Sequence, residues 1–321
     1  MTTHKTPRRH SVIVKITAGF GIIALIFLAN VGKNYVDAQR TQQLLTRMTD
    51  EALPIFSAAA TLSSNVQKLE PVVLALLESE SAANMSAAMN DYQGLSSSID
   101  QNLTTIETLQ ISEPLASKVS DLVLVLNRDI DQLSSTIDEV STQQTHLIAT
   151  IARFNAASLQ LSEADAVLKP LIGDFVYELS DDYVISLIQE LSASANYGTV
   201  IIEKLKAASN PTVVNSLQAD LSTWITDFDS FFGMLPSFAG EDPALYRNFL
   251  KTLSETIQQI KETAQGQYNP DTNDYLNGLV SIKQTQVELL AQQRQGLADF
   301  RQQMKQVLST TDKMVELSST D

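Results

Sequence analysis

Arg294 and Arg301 lie one heptad apart near the C-terminus, in a run where Leu276, Val280, Val287, Leu290, Leu297, Met304 and Leu308 recur three, four or seven residues apart. Lys283 is a third cationic member of that pattern. Seven residues is close to two helical turns, so the two arginines share a face. A guanidinium drawn into such a seam has to be paired. The pattern leaves two partners open: a carboxylate of the same bundle, such as Asp50, Glu51 or Glu107, or an anionic ligand gripped bidentately. Arg128 and Arg153, on a long helical pattern upstream, are weaker candidates of the same kind.

Other chemistry is thinly supplied. His146 is the one histidine beyond the first ten residues, and a metal site needs several ligands, so it reads as a surface or helix-interface residue. The chain has no cysteine, which excludes thiolate nucleophiles and cysteine metal sites. There is no phosphate-binding glycine loop, no HExxH and no nucleophile elbow. The acidic pairs Asp181-Asp182 and Glu241-Asp242 stand where helices begin and read as caps rather than calcium ligands. No catalytic residue, metal or cofactor is expected, and the chain is read as a non-enzyme. A second candidate surface is the loop after Gly233, where Met234, Leu235 and Phe238 flank Pro236. Apolar residues in such a loop either dock a partner protein or tuck over the end of a bundle.

The elements that carry these residues begin with Ser11–Val31, about 21 residues with one charge, enough to cross roughly 30 Å of hydrocarbon. Lys5, Arg8 and Arg9 precede it, so residues 1–10 are expected to be a cytoplasmic tail, 11–31 a transmembrane helix and 32–321 exported. A cleaved signal peptide is the other reading of the same stretch. Of 22 basic residues five fall within residues 1–33, which hold no Asp or Glu, leaving 17 basic against 37 acidic side chains beyond them. Such a surface repels nucleic acid and anionic lipid.

Beyond Val36 apolar residues fall three or four apart almost throughout, and only 11 Gly and 9 Pro interrupt 321 residues. The fold class is all-α, built of helical bundles. Six helices are expected. The first covers about Tyr35–Leu77 and the second about Ala82–Leu109, followed by Ser112 as a cap and Pro114 in the next first turn. The third is the longest, Leu115–Phe175, with Gln144, Ser158 and Asp165 as polar members of its seam and a kink at Pro170. The fourth is about Asp182–Ala208 and the fifth about Thr212–Phe232. The sixth runs from Pro243 to about Leu317, broken at Tyr268-Asn269-Pro270-Asp271. If direction alternates, two stacked four-helix bundles share the two long helices. The proximal one takes about 35–150 with 272–318, the distal one about 151–268, where aromatic residues concentrate as core.

Leu53-Pro54 with Ala58-Ala59-Ala60, Leu69-Glu70-Pro71, Leu168-Lys169-Pro170-Leu171-Ile172-Gly173-Asp174 and Asp242-Pro243 resemble the helical bimodular sensor domains of bacterial transmembrane receptors. The resemblance is greatest to trimethylamine-N-oxide-type sensor histidine kinases. It implies a periplasmic sensor in the inner membrane, a homodimer, and a small ligand or a periplasmic binding protein as partner. A second membrane span leading to a cytoplasmic kinase is implied beyond Asp321, so the chain is read as a receptor truncated before that span. A methyl-accepting chemotaxis receptor and a single-pass structural or scaffold protein are the alternatives.

Overall fold

A computed structural model describes the backbone of residues 9–320 apart from 110, 112, 114, 180, 237–241 and 270–273, and the side chains of that set apart from 9–19, 22, 267–269, 274–276, 319 and 320. The fold is all-α, with one short hairpin as the exception. The expected first helix is three segments: α1 (Arg9–Arg47), α2 (Leu53–Gln67) and α3 (Leu69–Leu77). A π-helical turn, Met48–Ala52, joins the first two. Both interruptions have the same cause. Proline lacks an N–H and its ring collides with the carbonyl four residues back. For Pro54 that residue is Asp50, inside the π turn, and for Pro71 it is Gln67, where α2 ends.

Next come α4 (Ala82–Thr108), α5 (Leu115–Phe175), α6 (Asp182–Ala207), α7 (Pro211–Met234) and α8 (Pro243–Gln265). The 61 residues of α5 run through Pro170 without a break. Capping explains where several helices start. Asp181 accepts from the N–H groups of Tyr183 and Val184, Asn210 from Val213, and Asp242 from Ala244 and Leu245. Pro211 and Pro243 occupy the first helical position, where a missing N–H costs nothing. The capping roles expected of Asp181 and Asp242 are thus observed. Ser112, Pro114 and Glu241 lie outside the described residues.

The expected sixth helix is divided into α8 and α9 (Leu279–Thr320) by an antiparallel hairpin, β1 (Gly266–Asn269) with β2 (Asp274–Asn277). Sequence alternation gives no sign of it. Its closure depends on backbone freedom: Gly266 and its register partner Asn277 both have positive φ, 84° and 64°. At Gly278 a Cβ would lie 2.1 Å from the Gln265 carbonyl carbon, so only glycine lets the chain re-enter a helix there. Pro270, the expected breaker, lies outside the described residues.

The chain divides into two compact units, residues 1–68 with 95–130 and 305–321, and residues 69–94 with 131–304. In the first, Ile55, Leu62, Val66, Ile106 and Leu126 are among the most deeply buried side chains. In the second, one apolar cluster runs from Phe154 on α5 through α6, α7 and α8 to Val287 on α9. Phe175 stacks on Phe249 at 4.0 Å, tying the end of α5 to the start of α8. Trp224 lies against α6 and donates its indole N–H to the Ser194 carbonyl at 2.7 Å. Gly198 makes that approach possible, since a Cβ there would sit 2.2 Å from the indole.

The expected anchor Ser11–Val31 is part of α1; the side chains of residues 11–19 and 22 lie outside those described. Among the described residues no helix is long and apolar enough to cross a membrane.

Candidate functional site

The two arginines of the α9 pattern, Arg294 and Arg301, do not sit where the apolar residues put them. The buried line of that helix steps by sevens through Leu279, Gln293, Phe300, Val307 and Met314, with Gln286 half-buried between the first two. Arg294 and Arg301 are the residues immediately after Gln293 and Phe300, about 100° round the helix, and both are exposed. The expectation of interior guanidiniums is therefore corrected by one residue of register. Arg301 donates from Nε to Glu70 on α3 at 2.9 Å, an ion pair at the surface rather than one with Asp50, Glu51 or Glu107.

Lys283 is buried, as its heptad position requires, and its surroundings account for it. Its ammonium donates to the Lys206 carbonyl in the last turn of α6 at 3.0 Å and lies 5.1 Å from the centre of the Phe154 ring. Burial lowers its pKa. Arg153 is exposed and donates to the side-chain oxygen of Asn277, at the end of the hairpin. Arg128, in the first unit, is exposed and pairs with its buried neighbour Asp129 at 3.0 Å. Within the second unit Lys283, Arg153 and Arg301 thus bind three separate protein groups rather than converging on one space. His146 is exposed, and no group of metal-binding side chains occurs among the described residues.

One end of the second unit is different in character. The stacked rings of Phe175 and Phe249 place the end of α5 beside the start of α8. The hydroxyl of Tyr246 on α8 donates to the Pro236 carbonyl at 2.8 Å, which brings the end of α7 to the same place, and α6 starts there after a short turn from α5. Four large apolar or aromatic side chains emerge at these ends: Tyr177 at 88 % exposure, Tyr183 at 61 %, Met234 at 52 % and Leu245 at 42 %. Of the three tip residues expected from the sequence, Met234 is exposed, Leu235 packs against the core, and Phe238 lies outside the described residues. Most aromatic residues of this region were expected as core, and Tyr177 and Tyr183 are exceptions to that. The signal that separates them from it is position, since both flank the cap at Asp181, Tyr177 in the 3-10 turn that follows α5 and Tyr183 in the first turn of α6.

Tyr246 holds this end together, and burial raises its phenol pKa above the ordinary 10.0. A group raised in the folded state contributes stability that is complete below its unfolded value and is lost as pH climbs through the folded one. Wild type is therefore expected to lose stability above about pH 10 more steeply than Tyr246→Phe, read from urea melts at about pH 8 and pH 11. At the lower pH the variant should be weaker by about 1 kcal/mol, the hydrogen bond to Pro236. The lowered pKa of Lys283 acts in the opposite sense in the same range but equally in both proteins, so the difference isolates Tyr246.

No protein-family model matches the chain, and no curated protein matches it in sequence. Its fold is that of a solved sensor domain, from the V. parahaemolyticus histidine kinase sensor TorS, with a TM-score of 0.61 at 14 % identity over 82 % of this chain and 99 % of that one. A TorS sensor domain solved in complex with TorT in the presence of TMAO is also similar, with a TM-score of 0.56 at 13 % identity over 83 % of this chain and 100 % of that one.

Proposed function

We propose that this chain is the periplasmic sensing region of a bacterial transmembrane receptor of the sensor histidine kinase type, and that it reads the state of a binding protein docked on the exposed ends of α5–α8. The observation that carries this reading is the shared fold with a histidine kinase sensor domain, solved also with a second protein bound. The patch of Tyr177, Tyr183, Met234 and Leu245 supplies what a protein partner needs, large side chains that are already exposed. In this reading the chain is built of helical bundles, it is not itself an enzyme, and it works as a homodimer whose two arrangements are biased by the docked partner.

The membrane anchor belongs to the same proposal. Leu25, Ile26, Phe27 and Leu28 are consecutive and all more than half exposed, so the helix is apolar on every side there. Water is a poor solvent for such a rod and a bilayer a good one.

The docking reading is tested with candidate periplasmic binding proteins from the same cell, loaded and empty, by interferometry against wild type, Tyr177→Asp and Met234→Asp. Wild type should bind one of them, and each charge should weaken binding by about tenfold or more, since a buried hot spot is worth at least about 1.4 kcal/mol. Unchanged affinity in both variants would place the partner elsewhere.

A further inference from the structure

Ser158 and Asp165, two of the polar positions on the seam of α5, line a half-open cavity of about 60 Å³ bounded by α5, α6, α7 and α8 within the second unit. We infer that this cavity is a binding site for a small organic cation, an alkylammonium of about five or six heavy atoms. A cavity of this volume holds roughly four to six water-sized positions, which sets the size. Leu161, Leu168, Ile202 and Ile260 give it aliphatic walls suited to an alkyl body.

The polar groups set the charge. Ser158 is 8 % exposed and its hydroxyl has no partner among the described residues, a state that costs folding energy unless something in the cavity takes up the bond. A primary ammonium donates to it directly. Asp165 and Glu203 both line the space, and Lys206 is the cation among the lining residues. That lysine is held by Glu203 at 2.6 Å. The indole of Trp224 has spent its N–H on Ser194 and offers the cavity only its π surface, which attracts cations. An incoming carboxylate therefore meets two carboxylates and one ammonium that is already paired with Glu203, whereas an ammonium meets an unpartnered hydroxyl, an aromatic surface and the Asp165 carboxylate. Asp165 is held in place by Lys169 at 2.6 Å and the Thr199 hydroxyl at 3.3 Å. The site gives the proposed sensor a direct ligand, yet binding is measurable without any partner protein, so it can fail while docking at the helix ends stands.

Trp224 is the chain's single tryptophan, so fluorescence excited at the red edge, where tyrosine does not absorb, reads this cavity alone. Titrating the full chain with butylammonium chloride should give a saturable change, and sodium butyrate should give none. Asp165→Asn, a half-buried position whose change leaves the core intact, should weaken the response by about tenfold, the loss of a charge-assisted contact. Ser158→Val, which fills the space, should abolish it while the thermal melt stays cooperative. No saturable response in wild type, an equal response to butyrate, or an undiminished response in Asp165→Asn would each overturn the assignment.

Discussion

Replacing Phe300 by alanine should cost about 3–5 kcal/mol of folding stability, whereas replacing Arg301 beside it should cost about 0–1 kcal/mol. Phe300 has no exposed surface, so truncation removes a full aromatic ring from contact and leaves a void that close-packed neighbours fill only in part. Arg301 is about half exposed and its bond to Glu70 is an ion pair screened by water. If the apolar pattern of the sequence set the register, the order would reverse, because an interior guanidinium paired across the bundle is costly to remove. Denaturant melts of Phe300→Ala, Arg301→Ala and Arg294→Ala decide between the registers. A loss of several kcal/mol in either arginine variant, with Phe300→Ala near wild type, would show that α9 is turned by one residue from the arrangement described.

That register error shows what the sequence could and could not carry. The line Lys283, Leu290, Leu297, Met304 and Thr311 lies inward, and its first four members were in the expected seam. The companion line was missed because it contains Gln286 and Gln293, and a pattern of apolar residues passes over glutamines to the neighbouring Val287 and Arg294. Long elements were legible for the opposite reason: α5 repeats its three-and-four spacing over 61 residues, so no single polar residue could disguise it. Four-residue strands are too short for alternation to register, and the hairpin depends instead on Gly266, Asn277 and Gly278, whose value lies in backbone conformation. The prolines at 54 and 71 belong to the resemblance, yet their steric effect on the preceding turn is what segments the first helix. As for the candidate sites, the proposed docking end was visible in Met234 but not in Tyr177 or Tyr183, and the polar seam of α5 was visible without its cavity. A cavity is made by four helices together, and no one helix records it.

The same polar seam leads to the second large effect, at Gln144. Its side-chain amide donates to the buried Ser79 carbonyl at 2.5 Å, just beyond the end of α3, and its oxygen accepts from the Gln293 amide on α9. Gln144 → Ala removes both bonds at once, leaving a buried carbonyl and a buried amide without partners as well as a void, an expected loss of about 2–4 kcal/mol. Gln293→Leu should be milder, since one oxygen alone loses its donor. In the double variant Gln144→Leu with Gln293→Leu, the two amides disappear together. Its loss should therefore fall short of the sum of the single leucine variants by about 1 kcal/mol or more. Strict additivity in a denaturant cycle would mean that the two glutamines do not act as a unit. The pair matters to the proposed sensing role because hydrogen-bonded layers fix the alignment of helices with less cohesion than apolar ones. Gln286 and Gln303, also on α9, add side-chain oxygens that are buried without a partner among the described residues. A seam of this kind can exchange one set of amide partners for another when a helix shifts, whereas a seam of interlocked leucines cannot do so without opening voids. The double leucine variant should therefore remain folded while losing its response to a docked partner, and a response equal to that of wild type would separate this glutamine layer from signalling.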